Sequence, residues 1–230
     1  MQGEFEAVLQ RLTGTRVVTH AAGRTDAGVH ALGQTVSFQM PTKWQPNEIL
    51  RALRALVPRD MWVERVGRAP RGFDARRSAV ARRYRYVIGC DAAAFSPFRR
   101  PFEWALGSPL EHTALDSASK GILGEHDFRA FSIKGAEKPH YRCNVSHAKW
   151  QERDNDRGFI FEIEADRFLH RMVRLLVGTM VDMGRGRRSP ADVSQLLTAP
   201  SNRETSPPAP PEGLYLVEAL YPQLDEVTDQ

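Results

Sequence analysis

The chain lacks most of the features that announce large functional classes. Its 230 residues include two cysteines, Cys90 and Cys143. That is too few for a disulfide framework or a cysteine zinc site, and such usage fits a reducing compartment, so the cytoplasm is expected. The seven histidines form no His-x-x-x-His pair, and Cys-x-x-Cys does not occur, so no metal centre is expected. No apolar run approaches the ~18 residues of a membrane span, and the first residues show no basic-then-apolar leader pattern. A phosphate loop ending in Gly-Lys-Ser/Thr and the spacing of a dinucleotide loop are both missing. No cofactor and no membrane are therefore expected. What remains is ordinary: 41% hydrophobic and 26% charged residues, in a chain long enough to bury a sizeable core in one or two domains.

The net charge of +4 is unevenly spread. Residues 1–50 balance, residues 51–100 carry thirteen basic and four acidic residues, and residues 101–230 carry fifteen basic and twenty acidic. All thirteen basic residues of 51–100 are arginine, the side chain best suited to bidentate phosphate contact and base stacking. Such a region favours a polyanionic partner such as RNA or DNA; a solvated, arginine-rich face is the plainer reading.

Apolar spacing predicts a helix over 3–12, ended by Gly14, then a short strand from Val17-Val18. Alternation of Val36, Phe38 and Met40 with polar residues predicts a strand. Asn47 is the expected cap of a helix carrying Ile49, Leu50, Leu53 and Leu56, stopped by Pro58. Strands are predicted over 61–66 and 81–88, the second with Tyr84, Tyr86 and Ile88 on one face and Arg83, Arg85 and Val87 on the other. The stretch 89–110, broken by Pro97, Pro101 and Pro109, reads as a domain junction. Beyond it come a helix near 112–123, a hairpin of 145–150 and 159–165, and a long helix over 167–184. A shorter helix capped by Ser189, with Pro190 at its first position, follows. The Pro/Ser-rich stretch 200–211 reads as a loop, 214–220 as a last strand, and the acidic tail after Pro222 as frayed. The order lacks the regular alternation of a doubly wound sheet, which points to α+β with helices on a mainly antiparallel sheet.

Three places could carry chemistry. Ala22-Gly23-Arg24-Thr25-Asp26-Ala27-Gly28-Val29-His30-Ala31 holds one acid among glycines and small apolar residues. Local rules read it as a turn, yet a shielded carboxylate is costly unless a cation or hydrogen bonds meet it. Tyr84 in Ala81-Arg82-Arg83-Tyr84-Arg85-Tyr86 is either a core aromatic or a platform for a base whose phosphates meet the arginines beside it. Arg174 in Phe168-Leu169-His170-Arg171-Met172-Val173-Arg174 points away from the apolar side of its helix. It either snorkels to the surface or is held in a tight, partly dry place. Gly178, one turn on, costs about 1 kcal/mol against alanine in mid-helix, which suggests close approach of another backbone.

Taken together these segments closely resemble the TruA family of tRNA pseudouridine synthases. The ten-residue stretch around Asp26 is similar to its signature. Four further motifs follow in family order: Phe73-Asp74-Ala75-Arg76 leading into Arg83-Tyr84-Arg85-Tyr86, Gly124-Glu125-His126-Asp127-Phe128, His170-Arg171-Met172-Val173-Arg174, and Glu212-Gly213-Leu214-Tyr215-Leu216. The resemblance spans roughly 1–222. It implies two ferredoxin-like (RRM-like) halves with a cleft between them, here an N-terminal catalytic domain over 1–95, a C-terminal domain over 96–222 and a tail over 223–230. It implies isomerisation of uridine to pseudouridine in the anticodon stem-loop of tRNA, at positions 38 to 40, by a cytoplasmic homodimer without a cofactor. Asp26 would be the catalytic nucleophile, attacking either sugar or base of a flipped-out uridine. Arg174 would pair with Asp26 and orient it. Tyr84 would stack on the uracil, Arg83 would meet the substrate beside it, and Arg24 would fill the place of the extruded base. His30 is read as a turn residue outside the catalytic set.

Family members begin with a strand carrying Tyr-Asp-Gly and a Gly-Trp-Gln segment, whereas Met1-Gln2-Gly3 resembles the start of the helix that follows. A domain truncated at its start is therefore expected, with two explanations: a start codon assigned too late, which is the favoured one, or a truncated protein, and with the latter a rival reading as a catalytically impaired RNA-binding protein of the same fold. A phosphohydrolase using Asp26 and His30 would need a metal, for which ligand spacing is lacking.

Overall fold

A computed structural model describes residues 1–133, 140–154 and 157–222. The expected frayed tail and the tip of the 145–165 hairpin, residues 155 and 156, lie outside the described residues. Contacts divide the chain into two units. One comprises residues 1–23, 35–79 and 221–222, and the other residues 24–34 and 80–220.

The first unit is small. Helix α1, Gln2–Thr13, ends on Gly14, whose left-handed φ of 74° closes the last turn onto Gln10. Strands β1, Thr19–Ala21, and β3, Val36–Phe38, pair antiparallel. Helix α2, Pro46–Leu56, is capped by Gln45 in a reciprocal arrangement with Glu48, with Pro46 in its first turn. Val8, Leu9, Val17, Ile49 and Leu53 form its core. Two expectations are corrected here. The cap is Gln45 and not Asn47, because proline at the first helical position leaves Gln45 extended to receive the Glu48 backbone N–H. Residues 61–66 form no ladder; their carbonyls at Val63 and Glu64 instead accept the Arg54 side chain, at 2.8 Å each.

The second unit holds a seven-stranded sheet. Its path runs β2 (His30–Ala31), β9 (Leu214–Leu220), β4 (Ala81–Gly89), β8 (Gly158–Ala165), β7 (Arg142–Glu152), β6 (Gly124–Asp127), with β5 (Trp104–Ala105) pairing β4 off this path. The β2–β9 and β4–β5 pairs are parallel and the rest antiparallel. Strand β4 sits between β8 and β9, which ties it to the second unit; by contacts the chain therefore divides at 79/80, upstream of the proline-broken stretch.

Helices α3 (His112–Lys120), α4 (Met172–Gly184) and α5 (Asp192–Thr198) complete the unit. One sheet face supplies Tyr84, Tyr86, Ile88, Trp150, Phe161 and Ile163 to a core shared with Leu115 of α3, Leu176 and Met180 of α4 and Leu196 of α5. This is the expected α+β arrangement. The other face is charged. Arg83 bridges Glu164 and Glu218 at 2.7 and 2.6 Å, and Arg85 meets Glu162 at 2.9 Å. The acidic half of the sequence thus supplies partners for the basic half.

Helix α4 begins at Met172, five residues later than its apolar pattern suggests. The reason is Arg171, whose φ of 60° breaks the helical path. Helix α5 likewise starts at Asp192: Ser189 and Pro190 form a preceding turn in which Ser189 Oγ accepts the Ala191 N–H.

Candidate active site

The signature loop joins Gly23 to β2. Gly28 takes a φ of 81°, and a Cβ there would touch Pro211 at 3.0 Å, so the turn needs glycine on both counts. The Val29 N–H closes the turn on the Asp26 carbonyl at 3.1 Å. This leaves the Asp26 carboxylate, about a quarter exposed, facing the start of α4.

Two guanidinium groups and an imidazole meet it there. Arg174 Nη1 donates to Asp26 Oδ2 at 2.9 Å. Arg171 Nε lies 3.5 Å from the same oxygen, and His170 Nε2 lies 3.5 Å from Oδ1. Arg174 is buried, at 9% exposure, which settles its placement against the snorkelling alternative. Burial of a guanidinium demands acceptors, and they are present: its Nε donates to the Ala209 carbonyl at 2.7 Å while the Ala209 N–H returns a bond to the Arg174 carbonyl at 2.9 Å.

The partner segment explains Gly178. A Cβ on Gly178 would press on the Pro207 carbonyl oxygen well inside the 3.0 Å that such atoms essentially never cross, with the Ala209 nitrogen at 3.3 Å. The anticipated close approach is thus the 206–211 strap, tied down further by Ser206 N–H to Thr179 Oγ1 at 3.2 Å and Tyr86 O–H to the Pro210 carbonyl at 2.7 Å. A stretch that reads as loop from composition is an ordered support for the Asp26 partner.

Tyr84 lies on the core face of β4, largely buried, with its ring edge-on to Phe168 at 4.9 Å. Burial pushes its hydroxyl up to about 12; Arg82 opposes this, and the Asp26 carboxylate adds to it. Tyr84 is therefore a neutral phenol within the field of Asp26. Asp26, Arg174 and Tyr84 come together, as sequence reasoning expects of the catalytic set. Arg24 is exposed two residues before Asp26.

Arg83 is not brought to this site. Strand alternation sends it to the charged face opposite Tyr84, where two carboxylates hold it. His30 is also elsewhere: its ring stacks on Tyr215 at 4.8 Å and lies near Phe102, with Nε2 2.9 Å from the Pro101 carbonyl. Sequence reasoning missed His170 and Arg171 as neighbours of Asp26. Their motif was visible, but a helical reading of 167–171 points them by the wrong rule.

Among the described residues no group of three or more His, Cys, Asp or Glu side chains could hold a metal, and no helix is long and apolar enough to cross a membrane.

Comparison with known proteins matches residues 118–222 to the tRNA pseudouridine synthase family. The chain is 40% identical to a tRNA pseudouridine synthase A of Geobacillus kaustophilus, over 96% of this chain and 85% of that protein. It is 36% identical to that of Myxococcus xanthus, over 96% and 83%, and 35% identical to that of an Exiguobacterium species, over 98% and 89%. With identity at this level along nearly its whole length, the chain belongs to the tRNA pseudouridine synthase family.

Proposed function

We propose that this chain isomerises uridine to pseudouridine in the anticodon stem-loop of tRNA, at positions 38 to 40, with Asp26 as nucleophile on a flipped-out uridine. Family membership makes it an isomerase acting on tRNA uridine. The observation that supports the finer reading is the Asp26–Arg174 pair, a carboxylate held by the Nη1 of a guanidinium whose Nε is tied to the Ala209 carbonyl. Such a carboxylate is fixed in one orientation by its partner, as a positioned nucleophile requires.

The reaction breaks the N1–C1′ bond of the uridine, turns the base, joins C5 to C1′, releases the C5 proton and returns a proton to N1. Asp26 starts this by attacking sugar or base. Tyr84, neutral and rigid against Phe168, supplies an aromatic surface for the uracil. Arg24 fills the place vacated in the stem, offsetting an unstacking cost of a few kcal/mol. The reading includes a homodimer working in the cytoplasm, and no step needs a redox group or nucleotide.

The test is position-resolved mapping of pseudouridine in unmodified tRNA incubated with the chain or with Asp26→Asn. Modification at 38 to 40 that vanishes in the variant supports the reading. Modification elsewhere only, or modification that survives the substitution, refutes it. Binding of tRNA without product would favour the RNA-binding alternative.

A further inference from the structure

We propose that Arg171 contacts substrate directly, taking a backbone phosphate of the RNA strand next to the target nucleotide. The proposal rests on the reading that the substrate is RNA. Arg171 is the one non-glycine among the described residues with positive φ, at 60°. For a side chain of this kind the left-handed region costs roughly 1–2 kcal/mol. The strain does not serve the helix, since α4 begins normally behind it, with the Leu175 N–H on the Arg171 carbonyl at 3.0 Å. What the strained conformation achieves is placement: it swings the guanidinium to the Asp26 carboxylate, 3.5 Å away.

Asp26 does not need it there. Arg174 already donates to the same oxygen at 2.9 Å and is the better buried of the two, with 11% of its side chain exposed against 39% for Arg171. Among the described residues the Arg171 side chain makes no hydrogen bond, only its 3.5 Å approach to Asp26 through Nε, so its other N–H groups stay available at the open side of the site. One carboxylate thus faces two guanidinium groups, with Arg24 exposed two residues from it. The surplus is positive, and the arginine fork matches a phosphate in a bidentate manner. An RNA strand presenting its uridine to Asp26 brings phosphates to this same place. A group that binds phosphate there contributes to substrate affinity and register more than to bond breaking.

The experiment uses the 230-residue chain, Arg171→Gly and Arg171→Lys. Melting temperature, kcat and KM for unmodified tRNA, and tRNA affinity across a salt series are measured for each. Glycine accepts φ of 60° freely, so Arg171→Gly is expected to melt no lower than the parent. Its KM should rise roughly tenfold, the scale of one lost charge-assisted bond, with kcat changed far less. Its plot of log affinity against log salt should be shallower by about 0.7 to 0.9, one phosphate's worth. Arg171→Lys should keep the slope and recover part of the KM. An unchanged slope and KM with a reduced kcat overturns the proposal and leaves Arg171 serving Asp26 alone. If Arg171→Gly melts early, Arg171→Asn, which also tolerates this backbone, is measured in its place and the slope decides. If the parent makes no pseudouridine, the underlying functional reading fails, while the salt slopes still decide whether Arg171 holds a phosphate.

Discussion

Gly178→Ala is the substitution whose sign helix rules and this structure predict differently. Alanine in an exposed helix interior is worth about 1 kcal/mol over glycine, so propensity alone forecasts a more stable protein. Here the added methyl would collide with the Pro207 carbonyl oxygen and crowd the Ala209 nitrogen at 3.3 Å. Both are backbone atoms of a strap that is itself bonded to Arg174 and Thr179. Either α4 or the strap must shift. Overpacking of this kind costs about 1–3 kcal/mol, and stretching the paired bonds between Arg174 and Ala209 adds about 1–3 kcal/mol as buried polar groups lose partners. After the propensity gain a net loss of about 2–3 kcal/mol remains, which lowers Tm by roughly 5–10 °C in a chain of this size. Because the strap positions Arg174, kcat should fall as well. Gly3→Ala in α1, where nothing lies within 4 Å of the new methyl, is the control and should be neutral or stabilising. Calorimetry and single-turnover kinetics read both effects. A Gly178→Ala protein as stable as the parent, with normal turnover, would refute the view that the strap holds the Asp26 partner in place.

Other expectations follow from single contacts. Arg174→Lys keeps a charge but cannot reach Asp26 and the Ala209 carbonyl in one planar fork; kcat should drop at least 100-fold and stability by about 2 kcal/mol, read by steady-state kinetics and denaturant titration. Tyr84 keeps its proton in the fold up to about 12, above its ordinary value of 10. Its contribution to stability is therefore complete below pH 10 and is lost as pH rises from there toward 12. Tyr84→Phe should lose less stability than the parent over that window in alkaline melts, and an identical alkaline loss would contradict the burial argument. Arg83→Met removes the shared partner of Glu164 and Glu218; since these groups are partly exposed, the loss should be about 1 kcal/mol and should shrink in high salt.

Much of this was legible in the sequence, for reasons that differ by element. Strand β9 spans the expected 214–220, and β4 runs one residue beyond the expected 81–88, because alternation survives where one sheet face is buried and the other wet. Gly178 announced a close backbone approach because a mid-helix glycine is hard to explain otherwise. The identity of the approaching segment was not legible: prolines in 206–211 suppress any periodic signal, and the bonds that order the strap come from α4 and Tyr86. The start of α4 was misplaced because apolar spacing continues through Leu169 while the left-handed turn at Arg171 leaves no mark in composition. That error concealed His170 and Arg171 as neighbours of Asp26. Arg83 misled in the opposite way. A basic residue beside an aromatic on a strand necessarily points to the other face, and only the long-range pairing of β4 with β8 and β9 shows which acids wait there.

The central claim is that Asp26, held by Arg174, performs the isomerisation. The most direct measurement is single-turnover release of tritium from tRNA carrying uridine labelled at C5, with the parent chain and Asp26→Asn side by side. The account predicts release to solvent by the parent at one label per modified uridine, and none above background from the folded variant with tRNA affinity retained. Release by Asp26→Asn at a rate near the parent's would contradict it.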